Sequence, residues 1–187
     1  MIYFVRHGQS EANVILKNNG ILCFDKHYNT PLTDLGKKQA KETAQILKNK
    51  KIDIIITSEL DRAIKTAEII NENKKIPMVQ LNDLNERKDC RKGIEGVDDE
   101  WHKSYDFEYT TPEGIEDIKD FKDRVVKGIE YILEKYGDKN ILIVAHGGVS
   151  HVFRRYFSNG TWEGNIRIKS MKNCEVAEFD TKREKKR

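Results

Sequence analysis

Three short apolar runs punctuate the chain: Ile2-Tyr3-Phe4-Val5, residues 52–56 and Ile141-Leu142-Ile143-Val144. Runs of this length, rich in β-branched residues and not alternating with polar ones, suit strands covered on both faces. Elsewhere the period becomes helical. Ala40, Ala44 and Leu47 recur within 33–49, behind a Thr33 able to cap the first turn. Leu60, Ala63, Ile64, Ala67 and Ile70 form a second stripe, and Phe121, Val125, Ile129, Ile132 and Leu133 a third. Weaker strand candidates lie at 78–81 and 174–179. Strands alternating with helices predict an α/β fold: a three-layer sandwich with a mostly parallel central sheet and right-handed crossovers carrying helices to both faces.

From Glu86 to about Gly114 the periodicity disappears, and charge, glycine and the aromatics Trp101, Tyr105, Phe107 and Tyr109 take over. So long a stretch without a clear element inside a compact domain usually serves as a functional loop or lid, and a small cap insertion is expected at about 87–115. No repeat, low-complexity tract or linker divides the chain. Its 187 residues suit a single domain spanning 1–187. The basic end, 181–187, reads as a frayed, solvated tail.

Charge changes this picture little. Charged residues make up 35% of the chain, yet the net charge is only +3 and the two signs are interleaved, so no nucleic-acid surface is implied. Cys23, Cys90 and Cys174 are odd in number and widely spaced, which argues against a disulfide framework or a zinc site and for a reduced, cytoplasmic setting. The first apolar run ends at Arg6, too early for a signal peptide or a membrane span.

The candidate chemistry sits where the strands end. Arg6-His7-Gly8 follows the first run directly, and His146-Gly147 follows the third. Ligands of open α/β sheets collect outside the carboxyl ends of the strands. If the three runs are parallel neighbours, Arg6-His7, the 58–62 segment and His146 share one pocket. Two guanidinium groups and two imidazoles make it electropositive, suited to an anion of phosphate geometry. A histidine nucleophile must be neutral, and nearby arginines disfavour the imidazolium, so a lowered pKa is expected at His7. A carbonyl from the turn at Gly8 would keep its other nitrogen as N–H. Arg6, Arg62 and His146 suit the charge that spreads over three phosphoryl oxygens. The leaving oxygen needs a proton, for which Glu86, just past 78–81, is the candidate donor, with Glu95 as substitute.

These residues fall in blocks that resemble the histidine phosphatase superfamily, which includes the cofactor-dependent phosphoglycerate mutases. The blocks are Arg6-His7-Gly8-Gln9-Ser10-Glu11-Ala12-Asn13, Pro31-Leu32-Thr33-Asp34-Leu35-Gly36, Ser58-Glu59-Leu60-Asp61-Arg62-Ala63-Ile64-Lys65-Thr66-Ala67, Leu84-Asn85-Glu86 and Ala145-His146-Gly147-Gly148. Together they are specific, although each alone is weak. The resemblance implies that His7 becomes the phosphohistidine and Glu86 donates the proton. It further implies that Arg6, Arg62 and His146 bind phosphate, with Ser10, Asn13 and Gly147 lining the pocket. It implies no metal and no cofactor, and the remaining histidines, His27, His102 and His151, are scattered.

Departures bear on the substrate. The stretch between Asn13 and Pro31 is longer than the family's, 26–29 replaces a Gly-x-x-Asp-like segment, Ile94-Glu95-Gly96 lacks a tryptophan, and His151 stands where an arginine is common. A cap shorter than the mutases' favours water as acceptor. The expectation is therefore a metal-independent phosphomonoesterase of the histidine acid phosphatase type acting on a small phosphorylated metabolite, with no nucleic-acid or membrane partner and a homodimer allowed. Two alternatives stand beside it: a phosphoglycerate mutase-type phosphotransferase and a catalytically silent phosphate-binding module.

Overall fold

The computed structural model describes all residues except 19–20, 23–27, 92–93, 96–98, 168 and 182–187, and describes 16, 21, 22, 94 and 95 by backbone alone. In chain order the elements are β1 (Ile2–Arg6), α1 (Glu11–Lys17), β2 (Ile21–Leu22), α2 (Asp34–Ile46), β3 (Ile54–Thr57), α3 (Asp61–Asn71), β4 (Met78–Gln80), a 3₁₀ turn (Asn82–Leu84), β5 (Ile94–Glu95), α4 (Asp99–Lys103), α5 (Ile118–Tyr136), β6 (Ile141–Ala145), α6 (Gly147–Phe157) and β7 (Val176–Phe179). The five-stranded sheet runs β4-β3-β6-β1-β7. All its pairings are parallel except that of β7 with β1.

The dense apolar runs are explained by where alternate residues go. Ile2, Phe4, Ile54, Ile56, Ile141 and Ile143 meet Phe121, Val125 and Ile129 of α5 and Val149, Val152 and Phe153 of α6. Tyr3, Val5, Ile55, Leu142 and Val144 meet Leu47 beyond α2 and Ala63, Ala67 and Ile70 of α3 on the other face. Both faces are covered, so the central strands are apolar until their carboxyl ends, where Thr57 and Arg6 stand. Each fully buried Leu, Ile or Phe contributes roughly 1.5–3 kcal/mol of burial. The expected α/β fold, with its mostly parallel sheet and helices on both faces, is the one found.

Some boundaries move. The second strand begins at Ile54 instead of 52 because Asp53 leaves the ladder: its N–H donates to Asn140 O (2.8 Å), and its carboxylate accepts from Asn140 N (2.8 Å). Thr33 caps α2 as expected, accepting from Gly36 N over 3.1 Å. Within the 87–115 segment expected to form a cap, β5 pairs antiparallel with β2, so the stretch after Asn13 joins it by a two-strand ladder. Tyr105 is buried, while Trp101 and Phe107 pack on the α5 and α6 side of the core, so these aromatics fasten the cap. Thr181 corrects the expected frayed tail at its first residue: it is buried, and its hydroxyl accepts from the N-terminal amine over 3.2 Å. The rest of that tail, with Cys23 and His27, lies outside the described residues.

Candidate active site

Strand register assembles the site. Val144 pairs with Val5 on one side and with Thr57 on the other, so Arg6-His7, Ser58 and His146 leave three adjacent strands at one level. The next turn of chain then begins α3 and α6, which place Arg62 and Gly147-Gly148 at the same edge. A cation in the first turn of a helix opposes the helix dipole, so Arg62 needs another reason to be there. His7 supplies it. Arg62 Nε donates to His7 Nε2 over 3.2 Å.

The protons of His7 can be assigned from its neighbours. Its Nδ1 lies 2.7 Å from the Gly8 carbonyl, which only accepts, so Nδ1 carries the hydrogen and Nε2 keeps its lone pair toward Arg62. Burial holds the His7 pKa well below the usual imidazole value, and the Arg62 and Arg6 charges push it the same way. The expected depression is present, with desolvation ahead of the arginines as its cause. His146 is likewise depressed, by burial first and Arg62 second. The two rings lie 5.1 Å apart, centre to centre. Ser58 Oγ accepts from Leu60 N (3.3 Å) and lies 2.7 Å from His146 Nε2. A hydroxyl both donates and accepts, so Ser58 suits either tautomer of His146; the one in which it donates to Nε2 puts the proton of a neutral ring on Nδ1. That Nδ1 is buried and has no hydrogen-bond partner among the described residues, and the same is true of Arg6 Nε and Ser10 Oγ.

The other candidate site residues, Glu95 excepted, can be placed as follows. Arg6 Nη1 donates to Met171 O over 2.6 Å. Asn13 Oδ1 accepts from Ser10 N and from Asn173 Nδ2, each at 3.1 Å, and Asn173 Nδ2 also donates to the His7 carbonyl at 2.9 Å. A Cβ on Gly147 would stand 3.6 Å from the Arg6 guanidinium. Glu86 reaches the N-terminus of α6: its Oε2 accepts from Gly148 N (3.1 Å) and its Oε1 from Arg87 N (2.9 Å). Its charge raises the pKa of Arg6 and of Arg62 against the lowering by burial. Arg154 lies on the far part of α6, where it donates to Lys169 O over 2.7 Å. Glu95 is described by backbone alone.

Three residues of this neighbourhood carried no signal in the sequence. Asn173 is distant from His7 in the chain and reaches it only because β7 pairs with β1. Tyr28 donates its hydroxyl to the Glu86 carbonyl (2.8 Å), and its own carbonyl accepts from Arg62 Nη1. Arg87 is fully buried beside Glu86. Among the described residues, no three His, Cys, Asp or Glu side chains converge as a metal centre would require, and no helix is long and apolar enough to cross a membrane.

A buried imidazole pair, two guanidinium groups and a carboxylate thus meet at the carboxyl edge of the mostly parallel sheet of an α/β protein. The chain belongs to the histidine phosphatase superfamily (branch 1), whose family model matches residues 2–187. It is similar to the uncharacterized phosphatase PhoE of Bacillus subtilis (strain 168), 36% identical over 161 residues, covering 85% of this chain and 78% of that protein. It is also similar to the adenosylcobalamin/alpha-ribazole phosphatase of Salmonella typhimurium, 32% identical over 157 residues, covering 79% and 74%. The solved structure of YhfR from Bacillus stearothermophilus shares the fold, with a TM-score of 0.79 at 24% identity over 94% of this chain and 88% of that one.

Proposed function

We propose that this protein is a metal-independent phosphomonoesterase that works through a phosphohistidine on His7. One observation carries the reading: His7 Nδ1 is held by the Gly8 carbonyl, which leaves the Nε2 lone pair turned toward a cation, and burial lowers the ring's pKa well below the usual imidazole value. Such a nitrogen is a competent nucleophile for phosphorus.

In the first step His7 Nε2 forms a bond to phosphorus as the ester P–O bond breaks, and the Glu86 carboxyl gives its proton to the departing alkoxide. Arg6, Arg62 and the Nδ1–H of His146 compensate the charge on the three equatorial oxygens, aided by Ser10, Asn13 and the Gly147 N–H. In the second step Glu86, now ionised, takes a proton from water as the water oxygen attacks phosphorus. The N–P bond breaks, and inorganic phosphate and free His7 result. Positioning and fixed charge supply most of the acceleration in such transfers. The substrate class is a small phosphorylated metabolite.

Turnover of p-nitrophenyl phosphate from acidic to neutral pH, unaffected by chelator and absent in His7→Ala, tests the activity. Labelling with a phosphate donor followed by peptide mapping should place an acid-labile phosphoryl group on His7. Phosphate release that requires a bisphosphorylated primer would point instead to a mutase. No turnover with retained phosphate binding would point to a silent binding module.

A further inference from the structure

The loop carrying Glu86 is fixed on three sides by side chains from separate parts of the chain. On Glu86 itself, the Tyr28 hydroxyl holds the carbonyl at 2.8 Å, while the Tyr28 carbonyl takes Arg62 Nη1. One residue thus spans the phosphate-facing arginine and the acid. On the turn that precedes Glu86, Arg124 Nη1 donates to the carbonyls of Asp83 and Asn85, each at 3.0 Å, and Glu116 grips Arg124 at Nε (3.0 Å) and Nη2 (2.9 Å). On the following residue, Arg87 Nε donates to Glu116 O (2.8 Å) and Nη1 to Ser104 Oγ (2.9 Å). Its guanidinium lies 4.8 Å from the Tyr105 ring centre and 5.3 Å from that of Trp101.

A fully buried guanidinium is costly, and among the described residues no ion pair compensates Arg87. What the arginine adds is direction: its fork ties the backbone at 87 to the cap aromatics and to Glu116. The N–H of that same backbone meets Glu86 Oε1 at 2.9 Å.

We infer that Tyr28 and Arg87 are positioning residues for proton transfer. They set where the Glu86 carboxyl stands relative to the leaving oxygen, and so decide how well esters with poor leaving groups are cleaved. The inference rests on Glu86 as proton donor, which the experiment tests separately.

The measurement is kcat and KM for p-nitrophenyl phosphate and for an alkyl phosphate, glycerol phosphate, in the wild type, Glu86→Gln, Tyr28→Phe and Arg87→Lys. Tyr28→Phe removes one oxygen and keeps both the ring and the carbonyl that faces Arg62. A displaced acid costs on the order of 10-fold or more where protonation limits the rate. Tyr28→Phe is therefore expected to lose about that factor in kcat on the alkyl ester, with KM and nitrophenyl turnover changing less than about threefold. Arg87→Lys keeps the charge but loses the fork and should show the same selectivity. If it does not fold, Tyr28→Phe decides alone. Equal losses on both esters in Tyr28→Phe would mean a merely structural role and overturn the inference. If Glu86→Gln is selective for the alkyl ester and Tyr28→Phe is not, the positioning claim alone falls. If Glu86→Gln itself loses equally on both, the donor assignment falls and the inference goes with it.

Discussion

Arg62 Nε donates to Nε2 of His7 across 3.2 Å, so a cation stands directly beside the nitrogen that keeps its lone pair. Burial is the larger cause of the depressed His7 pKa, followed by Arg62 and then Arg6. A free imidazole takes up a proton near about pH 6.5. Because the His7 value is lowered, the ring stays neutral as pH falls through that region, and kcat/KM should show no acid limb there from His7. Arg62→Gln should raise the His7 pKa part of the way, since burial remains, and bring an acid limb up toward that region. The lost phosphate contact should cost about 10²–10³ in kcat. A pH–rate profile of the variant with no shifted limb would show that the guanidinium does not govern the protonation of Nε2.

Gly8 and Gly36 are required by a close approach of two backbone segments. A Cβ at Gly8 would lie 2.5 Å from Gly36 O, and a Cβ at Gly36 would lie 2.1 Å from Gln9 O. Both obstacles are main chain and cannot rotate away. Gly8→Ala and Gly36→Ala should each destabilise by about 1–3 kcal/mol, the usual cost of forced overpacking, measurable by urea unfolding. The Gly8 carbonyl also orients His7, so Gly8→Ala should lose activity under conditions where the variant is still folded. Gly36→Ala, one step removed, should lose less. An Ala variant with wild-type stability at either position would contradict the packing described.

Gly148 presents a different obstacle. A Cβ there would fall 2.3 Å from Glu86 Oε1 and 2.9 Å from the Tyr105 hydroxyl, both ends of side chains. Gly148→Ala should therefore displace the carboxylate and leave the fold in place, because alanine suits a helix better than glycine. The expected result is a kcat loss of about 10-fold or more on alkyl phosphates with a near-normal thermal midpoint. A large drop in that midpoint would locate the damage in the fold instead of the acid.

These sites were unequally legible in the sequence. The sheet and both of its covered faces could be read from the unbroken runs of β1 and β6, because burial on both sides leaves no alternation to misread. Arg6, His7, Arg62 and His146 could be placed together because each lies at a strand end or within a few residues of one, and parallel pairing then levels them. Tyr28, Arg87 and Asn173 could not. Tyr28 gets its place from a loop closing over the β3 to α3 turn, Arg87 from the aromatic cap, and Asn173 from the antiparallel pairing of β7, and none of these leaves a local period. The cap lacked periodicity for the same reason: α4 is only five residues long, and β5 is a two-residue pairing with the loop after α1.

His151, in the middle of α6, makes stability depend on pH. It is buried, its Nδ1 has no hydrogen-bond partner among the described residues, and its ring meets Tyr105 edge-on at 5.8 Å between centres. Burial lowers its pKa to about 4, and the charges of Arg167, Arg154 and Arg6 act in the same direction. In the unfolded chain the same imidazole titrates near about 6.5. Above that pH both states are neutral and His151 contributes nothing to the pH dependence. Below it the unfolded chain gains a proton that the folded one refuses, so stability falls until the folded ring also protonates near pH 4. Each pH unit of that window is worth about 1.4 kcal/mol per proton, so His151 alone should remove about 3 kcal/mol between about pH 6.5 and 4. His7 and His146, also depressed, steepen the fall in the same direction. Urea unfolding of the wild type and of His151→Gln across this range should give a shallower slope in the variant, whatever its stability at neutral pH. Parallel slopes would show that His151 takes up its proton as readily in the folded protein as in the unfolded chain.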